Sequence, residues 1–239
     1  MKTKCSSRMK ALLLVLAMVL SLFCVSIGTA HPRFTDVPDS FWASKEIAWA
    51  VDKGVVNGTS ATTFSPNDKT LRGQMTAILY RYAGEPAVSG ASSFSDVKSS
   101  IYYANAASWA QKNNILISTV SGSNKFLGDT PISRAEFCAM VYNYAGYKSI
   151  DRKTTSAAPF SDVKGLSSEL RAAINWAYAN GIVNGVDKTH FSPDSTLTRA
   201  QAAKMVAYVK AGANEATISY YEGTTKFTDV KANHKWASG

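Results

Sequence analysis

The chain has 239 residues, with 26 Lys and Arg against 17 Asp and Glu, a formal charge of +9. Its basic residues are scattered, without runs or interleaved aromatics, a pattern that argues against a nucleic-acid partner. Neither composition nor length demands disulfide staples, because roughly 200 residues beyond the leader can bury a sizeable core.

Residues 1–30 read as a secretory signal peptide: Lys2, Lys4, Arg8 and Lys10, an apolar run from Ala11 to about Leu20, then Gly28-Thr29-Ala30 as a small-residue cleavage site. The apolar run is long enough to be weighed as an anchor, but the cleavage site and the polar sequence after it favour removal, leaving no membrane segment. Cys24 does not make a lipobox, since Ser21-Leu22-Phe23 lacks the small residues required. The mature chain then begins near His31 and keeps 22 basic and 17 acidic residues, a net +5 that suits an acidic polymer. Cys138 alone remains of three cysteines and sits in an apolar face, which excludes an intramolecular disulfide and predicts a buried, inert thiol.

Internal repetition decides the architecture. Phe34-Thr35-Asp36-Val37, Phe94-Ser95-Asp96-Val97, Phe160-Ser161-Asp162-Val163 and Phe227-Thr228-Asp229-Val230 recur at spacings of 60, 66 and 67 residues. The first three copies each open a unit with a first helix, a loop, an aromatic turn and a second helix. First helices are expected over 41–53, 101–113 and 168–180, with Trp49, Trp109 and Trp176 at equivalent core positions. Gly54, Asn114 and Gly181 should end them in the left-handed region. In units one and three the following loop carries Gly58 or Gly185, which would leave its backbone open to close approach by a partner. Unit two has Ser118 there and two extra residues before Phe126, so its loop is the least regular.

Phe64-Ser65-Pro66 and Phe191-Ser192-Pro193 are matching turns, with Phe126-Leu127-Gly128 the divergent copy; an arginine follows each phenylalanine after eight residues. Arg72, Arg134 and Arg199 thus open the second helices. Ser133 with Glu136 and Thr198 with Gln201 form capping boxes, whereas unit one has Leu71 as cap, so Thr70 is a substitute candidate. Gly73 also stands where the other two units have Ala135 and Ala200, which weakens that helix start by about 1 kcal/mol. Apolar stripes at i, i+3, i+4, i+7 run through Met75, Ile78, Leu79 and Tyr82, through Phe137, Met140, Val141 and Tyr144, and through Ala202, Met205, Val206 and Val209. These helices should end at Gly84, Gly146 and Gly212. A cation at the positive end of a helix dipole is mildly unfavourable. Its threefold recurrence, at helix N-termini that favour anions, points to an anionic ligand.

The three histidines, His31, His190 and His234, form no triad or metal-ligand spacing, and no carboxylate pair stands out from the repeats, so neither enzyme chemistry, a metal nor a cofactor is expected. Residues 215–239 read as a linker and the start of a fourth unit, reaching Trp236-Ala237.

These motifs, over residues 34–212, resemble S-layer homology repeats, whose pattern is Phe-x-Asp-Val, Trp-Ala, Gly-Ile-Ile-x-Gly, Phe-x-Pro and Thr-Arg-Ala-Glu. The resemblance divides the chain into repeats at 31–90, 91–156 and 157–214. It implies a mainly α fold, three helix-loop-helix repeats in a pseudo-threefold spindle with a central helical bundle and grooves between repeats. It further implies a secreted protein at the cell wall of a Gram-positive-type bacterium, binding a peptidoglycan-linked secondary cell-wall polysaccharide that carries pyruvate ketals. Arg72, Arg134 and Arg199 would engage the ketal carboxylate through paired charge-assisted hydrogen bonds. The competing role is a lock between repeats through Asp36, Asp96 or Asp162. Those three aspartates read first as acceptors for turn N–H groups, and as ligand contacts second. Trp42 offers a sugar platform, its equivalents being Tyr102 and Glu169, so unequal grooves are expected. Competing readings are a protein–protein module that meets other surface-layer proteins in a lattice, or the anchor piece of a larger secreted enzyme.

Overall fold

A computed structural model describes residues 34–154 and 156–211, excluding the side chains of the last two. The expected signal peptide, Gly212 and the fourth unit lie outside the described residues. The helices are α1 (Ser44–Asp52), α2 (Arg72–Tyr82), α3 (Ala104–Lys112), the single turn α4 (Ser118–Ser121), α5 (Arg134–Tyr147), α6 (Ser168–Ala179) and α7 (Arg199–Ala211), with a 3-10 turn at Ser161–Val163. Among the described residues β-structure is limited to three isolated antiparallel bridges, Lys69 with Thr198, Leu71 with Pro131 and Ser133 with Thr196. The chain is mainly α, as its periodicity requires.

Two helices start later than expected because the preceding residues form successive turns. Phe41 and Ser44 donate to the carbonyls of Pro38 and Phe41, and Ile101 and Ala104 to those of Lys98 and Ile101. In the third repeat Ser167 caps α6 by accepting from the Leu170 N–H, so that helix does begin at Ser168. Gly54, Asn114 and Gly181 stop the first helices at φ of 65°, 54° and 68°. Gly84 follows α2 in the same conformation, but Gly146 lies inside α5; there the left-handed residue is Ser149.

Each first helix packs on the second helix of another repeat: α3 on α2, α6 on α5, and α1 on α7. The three contacts close on themselves, so repeat one is joined to repeat three as well as to repeat two. Backbone hydrogen bonds repeat the cycle. The N–H of Thr70 donates to the Leu197 carbonyl (2.8 Å), that of Leu197 to Ile132 (3.2 Å), and that of Ile132 to Thr70 (2.9 Å). All three residues are buried. The Thr70 hydroxyl has no partner there, so it does not cap α2 as its position had allowed. A buried hydroxyl without a partner costs about 1–3 kcal/mol.

The Phe-x-Asp-Val segments are tied to the turn before each second helix. Thr35, Ser95 and Ser161 donate their N–H groups to the carbonyls of Thr62, Asn124 and Thr189, each at 2.8 Å. The phenylalanines pair with the turn phenylalanines: Phe34 with Phe64, Phe94 with Phe126 and Phe160 with Phe191, at 5.4–5.5 Å between ring centres. Such tilted pairs add about 0.5–1.5 kcal/mol beyond burial. Trp49, Trp109 and Trp176 are buried in the core, as are nearly all the stripe residues of α2, α5 and α7. Cys138 is buried and unpaired in α5.

Candidate functional site

Arg72, Arg134 and Arg199 are the first residues of α2, α5 and α7, and their helix starts are docked rather than open. Arg72 and Gly73 donate backbone N–H bonds to the carbonyls of Thr130 and Gly128 in the turn of repeat two. Arg134 and Ala135 donate to Ser195 and Pro193 of repeat three, and Arg199 and Ala200 to Asp68 and Pro66 of repeat one. The leading N–H groups of each second helix are therefore spent on the next repeat. This corrects the expectation that they would help receive an anion: the free donors are side chains.

Those side chains follow the same cyclic plan. Arg199 donates from Nε to the Phe64 carbonyl at 2.9 Å and from Nη2 to Asn57 at 2.8 Å, its guanidinium 4.6 Å above the Phe64 ring. Arg134 donates from Nε to Phe191 at 2.9 Å and from Nη2 to Asn184 at 2.7 Å, 4.4 Å above the Phe191 ring. A guanidinium has five N–H donors. Two are used in each case, and among the described residues the other three of each meet no acceptor. Burial pulls both pKa values below the ordinary arginine value, because the charge is partly stripped of water; nearby Asp162 and Asp36 oppose that shift. Arg134 is 7% exposed.

Arg72 departs from the plan. Its Nη1 donates to the carbonyls of Phe126 (2.8 Å) and Leu127 (3.0 Å), while Nε and Nη2 form a two-pronged pair with Glu136 at 2.5 and 3.2 Å. Both partners are buried. Glu136 therefore completes only half of a capping box: Ser133 Oγ accepts from its N–H at 3.1 Å, but its carboxylate faces Arg72. The equivalent Gln201 and Gln74 do turn back, accepting from the N–H groups of Thr198 and Leu71 at 3.0 Å.

Asp36, Asp96 and Asp162 clamp the aromatic turns. Each accepts two consecutive backbone N–H groups: Phe64 and Ser65, Phe126 and Leu127, Phe191 and Ser192. Burial alone would raise these carboxyl pKa values, but the N–H bonds outweigh it and hold all three below the usual value. Direct ion pairs with the arginines do not form; Asp36 feels Arg199, and Arg134 feels Asp162, only through space. The clamp has a conformational purpose, because Ser65, Leu127 and Ser192 all adopt positive φ of 54–57°, a state that non-glycine residues rarely hold.

The loop glycines answer to the protein's own packing. A Cβ on Gly58 would lie 2.5 Å from a Phe34 ring carbon and from the Ser60 carbonyl, and one on Gly185 2.3 Å from the Asp187 carbonyl. Close approach does occur there, but by the repeat's own phenylalanine and loop. Trp42 and Tyr102 are exposed, at 53% and 63%, each on the turn that opens a first helix. Lys204 of α7 stands 5.3 Å from the Trp42 ring centre. Tyr102 feels the charge of Arg199, and it lines a groove of about 240 Å³ with Ala77, Tyr80, Arg81, Glu85, Asn105 and Ala106.

Three participants escaped the sequence reading. The carbonyls of Asn57 and Asn184 carry no side-chain signal. The positive φ beside each turn phenylalanine was hidden because serine and leucine do not advertise it. Glu136 was visible, but as a cap; only the fold brings it to Arg72. Among the described residues no His, Cys, Asp and Glu cluster could hold a metal ion, and no helix is long and apolar enough to cross a membrane.

Three repeats, each with an Asp-clamped aromatic turn and an arginine at the start of its second helix, define the class. Residues 33–76, 93–138 and 159–203 match the S-layer homology domain, and the chain belongs to that family. It is 32% identical over 174 residues to an amylopullulanase of Thermoanaerobacterium thermosulfurigenes, covering 72% of this chain and 9% of that protein. An endoglucanase of Bacillus sp. (strain KSM-635) is 28% identical over 218 residues, 87% of this chain and 22% of the relative. The S-layer protein EA1 of Bacillus anthracis is 26% identical over 213 residues, 87% and 23% respectively. The chain thus spans less than a quarter of the length of these relatives.

Proposed function

We propose that this chain is a non-covalent cell-surface anchor, whose inter-repeat seams hold a secondary cell-wall polysaccharide bearing pyruvate ketals. The observation that carries the reading is the state of Arg134 and Arg199. Each is fixed by two carbonyls of the next repeat's loop and, among the described residues, keeps three N–H donors unspent. A fixed guanidinium with free donors suits a planar carboxylate, which it can receive through two parallel bonds at little entropic cost. A ketal-linked pyruvate supplies that carboxylate on a sugar, and the exposed rings of Trp42 and Tyr102 supply apolar faces for a pyranose. On this reading residues 1–30 direct export and are removed, the repeats occupy 31–90, 91–156 and 157–214, and the protein works at the cell wall of a Gram-positive-type bacterium without catalysis of its own. Relatives named as enzymes and as S-layer proteins are consistent with a module that fastens different cargoes.

The test is co-sedimentation with purified cell-wall sacculi, before and after mild acid hydrolysis of the ketals, with an Arg134→Ala, Arg199→Ala double variant alongside. Binding lost on hydrolysis and in the variant is expected. Binding to sacculi that survives ketal removal overturns the carboxylate reading. Self-association without sacculi would favour the competing role in a protein lattice.

A further inference from the structure

We infer that only two of the three seams take the anionic ligand, and that the third, where Arg72 of repeat one meets the turn and loop of repeat two, is shut by the protein's own carboxylates, Glu136 on the arginine and Glu169 of repeat three on the loop. The inference rests on the anion-binding reading above and adds which sites operate.

The three seams share one plan, so their differences are informative. At two of them the arginine reaches the loop carbonyl of Asn57 or Asn184. At the third the equivalent loop residue is Ile117, and the chain turns there into α4 instead of following the course of the other loops. Arg72 makes no bond to Ile117; its Nε and Nη2 edge is taken by Glu136. That edge is one a ligand carboxylate would need for two parallel bonds. With Phe126 and Leu127 on Nη1, four of the five donors are spent and the charge is neutralised inside the protein. The residues of repeats three and one equivalent to Glu136 are Gln201 and Gln74, both uncharged and turned back onto their own helix starts.

A second difference falls on the loop of repeat two, next to Ile117, and is independent of the arginine. Trp42 and Tyr102 have Glu169 as their counterpart on α6. Glu169 accepts from Ser118 N at 3.2 Å and from Ser118 Oγ at 2.5 Å, bonding the start of α6 to the loop of repeat two. Ser118 itself replaces the glycine of the other loops. An aromatic ring and a glycine are thereby exchanged for an acid–hydroxyl clasp. Glu136 neutralises the arginine and Glu169 sets a further negative charge on the adjoining loop, whereas among the described residues the guanidinium groups of Arg134 and Arg199 meet no carboxylate.

The test uses a methyl hexopyranoside carrying one pyruvate ketal, with its methyl ester as the uncharged control. Calorimetric titration is expected to give two equivalents bound per chain, and none of the ester. In the ¹⁵N-labelled protein the Nε–H signals of Arg134 and Arg199 are expected to move during titration while that of Arg72 stays in place. A stoichiometry of one or three, or movement of the Arg72 signal with the others, overturns the inference and leaves the anion-binding reading standing. If none of the three signals moves while the protein still sediments with sacculi, the carboxylate reading falls and the inference with it.

Discussion

Arg72 and Glu136 meet edge to edge across the seam between repeats one and two, with Nε–Oε1 at 2.5 Å and Nη2–Oε2 at 3.2 Å. Both side chains are about 90% buried. A buried pair of this kind adds little over apolar packing, but removing one partner strands the other charge at a cost of about 3–5 kcal/mol. Glu136→Ala is therefore expected to lower unfolding stability by about 3 kcal/mol, read by urea titration. In a double-mutant cycle with Arg72→Ala the two losses should fall short of adding by more than about 1 kcal/mol. Additive losses would show that the pair is not coupled in solution.

Gly73 and Tyr103 form a second dependency between the same two repeats. The Tyr103 ring lies where a Cβ on Gly73 would sit, 2.5 Å from its Cδ1, and Gly128 is equally crowded, at 2.3 Å from Cζ. Repeat one has Ala43 at the position of Tyr103, so the larger residue and the two glycines form a matched set. Gly73→Ala would ordinarily favour a helix by about 1 kcal/mol; here overpacking of about 1–3 kcal/mol should outweigh it. The substitution is expected to lower the melting temperature of the parent and to raise it in a Tyr103→Ala background. The same sign in both backgrounds would refute the steric account.

Helices, repeat order and core were legible because they depend on periodicity and turn chemistry. Gly54, Asn114 and Gly181 mark helix ends by conformational tolerance, and the three tryptophans mark the core by size. The fate of the arginines was not legible, since it depends on which repeat's turn lies beside each helix start. Arg199 meets Asn57 and Phe64 from 135 or more residues away, and no local pattern encodes that closure. Gly146 misled for the opposite reason: glycine tolerates the helix interior, and Ser149 could take the left-handed state three residues later.

The aspartate clamps should make the fold sensitive to acid. Asp36, Asp96 and Asp162 have folded pKa values below the ordinary one because turn N–H bonds outweigh the effect of burial. A depressed folded pKa contributes stability that is present above the unfolded value, about 4, and is lost as pH falls through the folded value. Stability should thus be insensitive to these groups near neutrality and fall below about pH 4. Each Asp→Asn variant is expected to lose about 1–3 kcal/mol at pH 7, the worth of hydrogen bonds to a charged group. The difference from the parent should shrink toward pH 2 in acid unfolding curves. A variant penalty that is constant with pH would mean that the charge is not what holds the turn.

Cys138 provides a built-in reporter on the helix that carries Arg134. They lie four positions apart, so both belong to one face of α5. Burial pushes the thiol up to about 12, although the Arg134 charge pulls the other way. In a chain lacking residues 1–30, and with them Cys5 and Cys24, Cys138 is the one thiol. At pH 8 its thiolate is scarce, against roughly a quarter for a free cysteine, and water is excluded as well. Labelling with a disulfide reagent should therefore wait for α5 to open, and become fast in denaturant. The same rate measured in the Arg134→Ala, Arg199→Ala variant separates lost binding from lost folding. Protection close to that of the parent means that α5 remains packed and the loss lies in the seam, while labelling at the rate of a free thiol means that the arginine was holding the repeats together.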